Sequence, residues 1–135
     1  MNEFLYCGEC KSYVKKLSKH CRVCDRCVEE FDHHCIWLNN CVGSKNYKLF
    51  ISLIYVFEID LTIFLISGSL LWNEGRWENY LVEMIFVWIM MVILTIFWLL
   101  NLSLIIFHMF LIRKGTTTYD FLYSKPKNKI IPIEI

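Results

Sequence analysis

The sequence predicts an α-helical integral membrane protein: two transmembrane helices joined to a small cytosolic, zinc-binding cysteine-rich domain. Three observations predict it. Of 135 residues, 56% are hydrophobic and 16% aromatic, too apolar for an ordinary soluble domain of this size. The apolar residues concentrate in positions 49–112. All seven cysteines and three of the four histidines crowd instead into positions 1–48. A formal net charge of only +1 and two membrane-length apolar stretches argue against a soluble zinc-finger nucleic-acid binder, so no nucleic-acid partner is expected.

The head, residues 1–48, reads CGEC (7–10), HCRVCDRC (20–27), DHHC (32–35) and Cys41. An odd number of cysteines in CxxC pairs, with histidines between them, favours metal over disulfides and implies a reducing, cytosolic face. A structural zinc takes four ligands from thiolates and imidazoles. Seven cysteines and three histidines make ten groups, so two ions leave two groups over. Spacing does not fix which two, because Cys24 stands at CxxC distance from both Cys21 and Cys27. Chemistry singles out Cys35. His33 and His34 adjoin it and Asp32 precedes them, and a histidine held by a carboxylate can take a thiol's proton. The alternative is that DHHC supplies metal ligands only. No internal repeat, low-complexity tract or signal-peptide core is read from the sequence.

The first transmembrane helix is expected at 49–72. At ~1.5 Å per residue its apolar core, Leu49 to Leu71, is long enough for a bilayer interior of roughly 30 Å. Glu58 and Asp60 fall near its middle, two residues apart and therefore on nearly opposite sides. They either line a polar cavity or meet partners on further helices, or tilt brings them toward an interface. A short turn follows at 73–80, then a second helix at 81–112. Asn101 there is expected to hydrogen-bond between helices, and His108 to lie at the interface. Eight Lys/Arg in the head and five in the tail from Arg113, against Arg76 alone in the turn, place head and tail 113–135 in the cytosol. Trp72, Trp77 and Tyr80 suit the opposite interfacial belt.

The stretch CGEC…HCRVCDRC…FDHHCIWLNNCVGSKNYKLF, residues 7–50, resembles the cysteine-rich domain of the DHHC protein S-acyltransferases, the palmitoyltransferases. Thr117-Thr118-Tyr119-Asp120 resembles that family's TTxE motif, with Asp in place of Glu. The order of head, helix, turn, helix and TT motif matches the back half of the family's four-helix layout. Ile36 stands where many members have Pro, and VKKLSK replaces a Pro/Arg run. Two helices of that layout are not represented, so a truncated chain is expected.

The resemblance implies one zinc on Cys7, Cys10, His20 and Cys27, and another on Cys21, Cys24, His34 and Cys41. It implies Cys35 as nucleophile, His33 as base and Asp32 as the group orienting that base. Thr117 or Thr118 would buttress Asp32, with Asp120 in support. Lys15, Lys16 and Lys19 would either meet coenzyme A phosphates or form a basic face toward anionic lipid. The implied reaction moves a palmitoyl group from acyl-CoA, through an S-acyl enzyme on Cys35, to cysteines of membrane-associated proteins. Implied partners are the lipid bilayer, acyl-CoA and substrate proteins with membrane-proximal cysteines. The implied location is a multi-pass protein of the endomembranes, ER or Golgi. The alternative is a membrane-anchored zinc-binding interaction module, inactive because the family's first two helices are missing.

Overall fold

A computed structural model of the chain describes residues 4–73 and 81–123. Most of the expected turn, with Arg76, Trp77 and Tyr80, and the tail beyond residue 123 lie outside the described residues. The chain divides into two compact units, one formed by the described parts of Met1–Tyr47 and Leu111–Ile135, the other by Lys48–Phe110. The start of the 113–135 tail thus folds with the head and is not a separate segment.

The head is three antiparallel hairpins: β1 (Phe4–Cys7) with β2 (Ser12–Lys15), β3 (Lys19–Cys21) with β4 (Arg26–Val28), and β5 (His33–Cys35) with β6 (Asn40–Val42). They form an internal repeat that the residue pattern did not announce. Cys7, Cys21 and Cys35 each end the first strand of a hairpin. Lys11, Asp25 and Asn39 each close the four-residue turn with positive φ, 49°, 47° and 45°. Few side chains agree between the three units beyond these, which is why sequence similarity alone does not reveal them. Asp and Asn adopt that left-handed conformation readily.

Little apolar core supports the hairpins. Cys21, Cys35, Cys41 and Val42 are the buried hydrophobic residues of the described head. Gly43 is required by close packing, since a Cβ there would stand 2.7 Å from the Glu29 carbonyl oxygen and 2.7 Å from Val28 Cγ1. Ser44 N–H and hydroxyl both donate to that carbonyl, and Tyr47 N–H donates to Gly43 O at 2.8 Å.

That last bond opens α1 (Tyr47–Asn73), two residues ahead of the expected start. The second helix, α2 (Leu81–Lys114), likewise runs two residues past its expected end. Both are long and apolar enough to cross a membrane. In α1 and α2 the hydroxyls of Ser52, Thr62, Ser67, Ser69, Thr95 and Ser103 donate back to carbonyls of their own helix, as lipid demands of any polar group.

The helices pair antiparallel through polar bonds. Asn101 Nδ2 donates to Ile54 O at 2.9 Å and to Glu58 Oε2 at 2.8 Å. Trp98 Nε1–H donates to Thr62 Oγ1 at 2.9 Å. Further along, Gly68 lets Met91 approach closely. Glu58 therefore turns toward α2, while Asp60 is exposed on another face. His108 is buried, edge-on to Phe50 and Phe107.

Asn101→Leu is expected to lower the resistance of the helical hairpin to denaturing detergent by about 1 kcal/mol, since it strips Glu58 of its donor. Glu58→Gln, which keeps an acceptor oxygen, should cost less. Unfolding of both variants in mixed micelles checks the order.

Candidate active site and metal centres

Each metal quartet draws on two successive hairpins. The turn of one supplies a CxxC pair, and the next supplies a cross-strand His/Cys pair. His20 lies directly opposite Cys27 in the β3–β4 register, and His34 opposite Cys41 in β5–β6. Cys7, Cys10, His20 and Cys27 form one group, and Cys21, Cys24, His34 and Cys41 the other. His20 Nδ1 stands 3.9, 3.2 and 3.9 Å from the sulfurs of Cys7, Cys10 and Cys27. His34 Nδ1 stands 3.8, 3.3 and 3.7 Å from those of Cys21, Cys24 and Cys41.

These spacings fit a tetrahedral metal. Metal–sulfur bonds of about 2.3 Å and metal–nitrogen bonds of about 2.0–2.1 Å put sulfur and nitrogen roughly 3.6 Å apart across a tetrahedral edge. The acid–base state of one thiol in each quartet is also compatible with a cation. Burial, together with the neighbouring thiols Cys7 and Cys10, pushes the Cys27 thiol up to about 12. Burial and the Cys24 and Cys21 thiols push Cys41 up to about 12 in the same way. A metal's positive charge would draw both of these thiols back down. Asp25 Oδ1 lies 3.5 Å from His20 Nε2 and can orient the ring from behind.

Cys35 has the place in the third hairpin that Cys7 and Cys21 have in the first two. Its turn offers Leu38 where Cys10 and Cys24 stand, and helix α1 follows in place of a fourth hairpin. It therefore belongs to neither quartet. Strand alternation sends His34 to one side of β5, and His33 and Cys35 to the other. Cys35 is buried, 8% exposed.

His33 Nδ1 lies 2.7 Å from Asp32 Oδ2. The same carboxylate, 2% exposed, accepts the Thr118 backbone N–H at 2.8 Å on Oδ1 and the Thr118 hydroxyl at 2.7 Å on Oδ2. Burial drives the Asp32 pKa up, but the bonds from His33 and Thr118 outweigh it and hold the carboxyl below its usual range. Asp32 is thus a buried anion that faces His33 Nδ1.

Thr118 reaches Asp32 because of how α2 ends. Gly115, with φ of 64°, lets its own N–H donate to Ile112 O and the Thr116 N–H to Leu111 O, the Schellman pattern. Thr117 then caps the short helix α3 (Thr118–Tyr123), its hydroxyl accepting the Asp120 N–H at 3.1 Å. Of the two threonines the sequence left open, Thr118 bonds Asp32 and Thr117 serves the helix. Asp120 is exposed at the third position of α3. Lys15 pairs with Glu29, Lys19 sits over the Tyr119 ring and Lys16 is exposed. The contacts of Tyr119 had no signal in the sequence beyond its place inside the TT motif.

The family model described as DHHC palmitoyltransferase matches residues 1–125. A probable protein S-acyltransferase 20 of Arabidopsis thaliana is 40% identical over 90% of this chain and 20% of its own length. Palmitoyltransferase erf2 of Emericella nidulans is 36% identical over 88% of this chain and 21% of itself. Palmitoyltransferase ZDHHC20 of Homo sapiens is 32% identical over 85% of this chain and 32% of itself. The chain thus spans about a fifth to a third of the length of these curated relatives.

Thr118→Val removes one of the hydrogen bonds on a buried charge. It is expected to cost about 1.5–3 kcal/mol in head stability, with Thr118→Ser close to wild type. Thermal unfolding of the metal-loaded chain, followed by near-ultraviolet circular dichroism, measures the difference.

Proposed function

The chain belongs to the DHHC palmitoyltransferase family, and on that premise we propose that it is a protein S-acyltransferase acting through Cys35. The observation that carries this reading is the bond of Asp32 to His33, a residue on the same strand as a cysteine that neither metal quartet uses. Supporting roles follow. Asp32 orients and polarises His33, and Thr118 holds Asp32. Zinc is the ion proposed for both quartets, on Cys7, Cys10, His20 and Cys27 and on Cys21, Cys24, His34 and Cys41. It supplies rigidity where apolar core is scarce.

The chemistry is a two-step exchange. His33 Nε2 takes the Cys35 thiol proton. The thiolate attacks the carbonyl carbon of an acyl-CoA thioester, the bond to coenzyme A sulfur breaks, and the departing thiolate takes the proton from His33. Cys35 is left as a thioester. A substrate cysteine then gives its proton to His33 and attacks the same carbonyl, and Cys35 leaves as a thiolate and regains the proton. The donor proposed is palmitoyl-CoA, and the acceptors are cysteines of membrane-associated proteins. Burying a palmitoyl chain gains on the order of 10 kcal/mol, which favours an enzyme tethered to the bilayer by α1 and α2. Lys16, exposed on the head, is the best placed of the three lysines to meet an anionic phosphate. We place the head and tail on the cytosolic side of an endomembrane, by the lysine and arginine bias.

Two experiments test this. The purified chain should hold about two zinc ions, and Cys10→Ser or Cys24→Ser about one. Both should be released by chelator or by acid, since protons compete for thiolate and imidazole. Supplied with a tagged palmitoyl-CoA, the chain should take a hydroxylamine-labile label that Cys35→Ser and His33→Ala lose. A zinc-loaded chain that takes no label would sink catalysis by this chain and favour the interaction module.

A further inference from the structure

Thr118 is not the only residue after α2 that grips the head. The Tyr119 backbone N–H donates to the Asp32 carbonyl oxygen at 3.0 Å. Its ring meets Phe31 edge-on, with centroids 5.8 Å apart at 70°. Lys19 Nζ lies 5.3 Å from the Tyr119 centroid. Tyr123, one turn on, packs against the same ring at 5.1 Å. Phe31 directly precedes Asp32, and Lys19 directly precedes His20. One aromatic ring therefore joins the strand of the first quartet, the residue before the buried carboxylate and the helix that holds that carboxylate.

We propose that Tyr119 is a positioning residue for the acyl transfer. Its clamped ring fixes where residues 118 and 119 sit on Asp32, and so fixes the direction of the Asp32–His33 bond. The proposal rests on the acyltransferase reading. Tyr119 touches no reacting atom; it works through Asp32. The carboxylate accepts from Thr118 N–H, Thr118 hydroxyl and His33, and a slide of the 118–119 segment would turn its plane. The imidazole would then lose the tautomer and aim that a proton transfer needs. The ring's face and edge make the contacts, so the phenolic hydroxyl is dispensable and an aromatic face is not. This gives Lys19 a task other than phosphate contact.

The test compares wild type, Tyr119→Phe, Tyr119→Ala and Lys19→Met in the full chain, reconstituted in lipid with zinc. Two rates are read: acylation of Cys35 by palmitoyl-CoA, and alkylation of Cys35 by a small thiol reagent, assigned by mass spectrometry. Tyr119→Phe should match wild type in both. Tyr119→Ala should slow acylation at saturating palmitoyl-CoA about tenfold, with half-saturating concentration and zinc content unchanged, and should slow Cys35 alkylation in parallel. Lys19→Met should fall between. Tyr119→Ala at the wild-type rate overturns the proposal. So does a fall in rate, palmitoyl-CoA affinity and zinc content together, which marks plain support of the fold. Alkylation that depends on Tyr119 in a chain that never takes an acyl group would sink the acyltransferase reading, and the role in acyl transfer with it, and leave only the hold of Tyr119 on Cys35 reactivity.

Discussion

Everything in the head depends on the two quartets of sulfur and nitrogen. Six strands of three or four residues cannot fold on their own apolar contacts, and hardly any hydrophobic residue there is buried. A cation on each quartet would replace the missing core. Each quartet ties the turn of one hairpin to the cross-strand pair of the next, so the hairpins are stapled in series. Four crowded donors cost free energy without a cation and yield a rigid centre with one.

This serial stapling has a chemical consequence at its end. A third hairpin carries the first knuckle cysteine but has no fourth hairpin to complete a site. Cys35 holds the position of a knuckle cysteine but lies outside both quartets, on a strand whose His34 is opposite Cys41. Strand alternation separates the two histidines of one dipeptide. His34 Nδ1 faces thiols and His33 Nδ1 faces Asp32. Asp32 can remain a buried anion because hydrogen bonds from His33 and Thr118 offset its desolvation.

The helical hairpin solves a different problem of burial. Lipid offers no hydrogen bonds, so hydroxyls bond to their own helix and Asn101 bridges to a carbonyl and a carboxylate on its neighbour. Glu58 and Asp60 looked alike in sequence. Their environments differ because a helix turns about 100° per residue, and only Glu58 falls on the face that meets Asn101.

Length, composition and donor spacing are enough to set the classes of element. Two apolar runs of membrane length and a cluster of CxxC units with interposed histidines need no tertiary information, because length, periodicity and donor chemistry are local properties. Even the helix ends were legible to within two residues. Which donors come together was not legible from spacing, since Cys24 stands equally far along the chain from Cys21 and Cys27. The fold groups them, by setting Cys27 opposite His20 and leaving Cys24 in the turn that follows Cys21. The hold of Thr118 and Tyr119 on residues 31–32 joins positions 86 residues apart, and nothing local encodes it. A glycine in the left-handed region turns the chain after α2, and the tertiary fold brings that turned segment to a buried carboxylate that required donors.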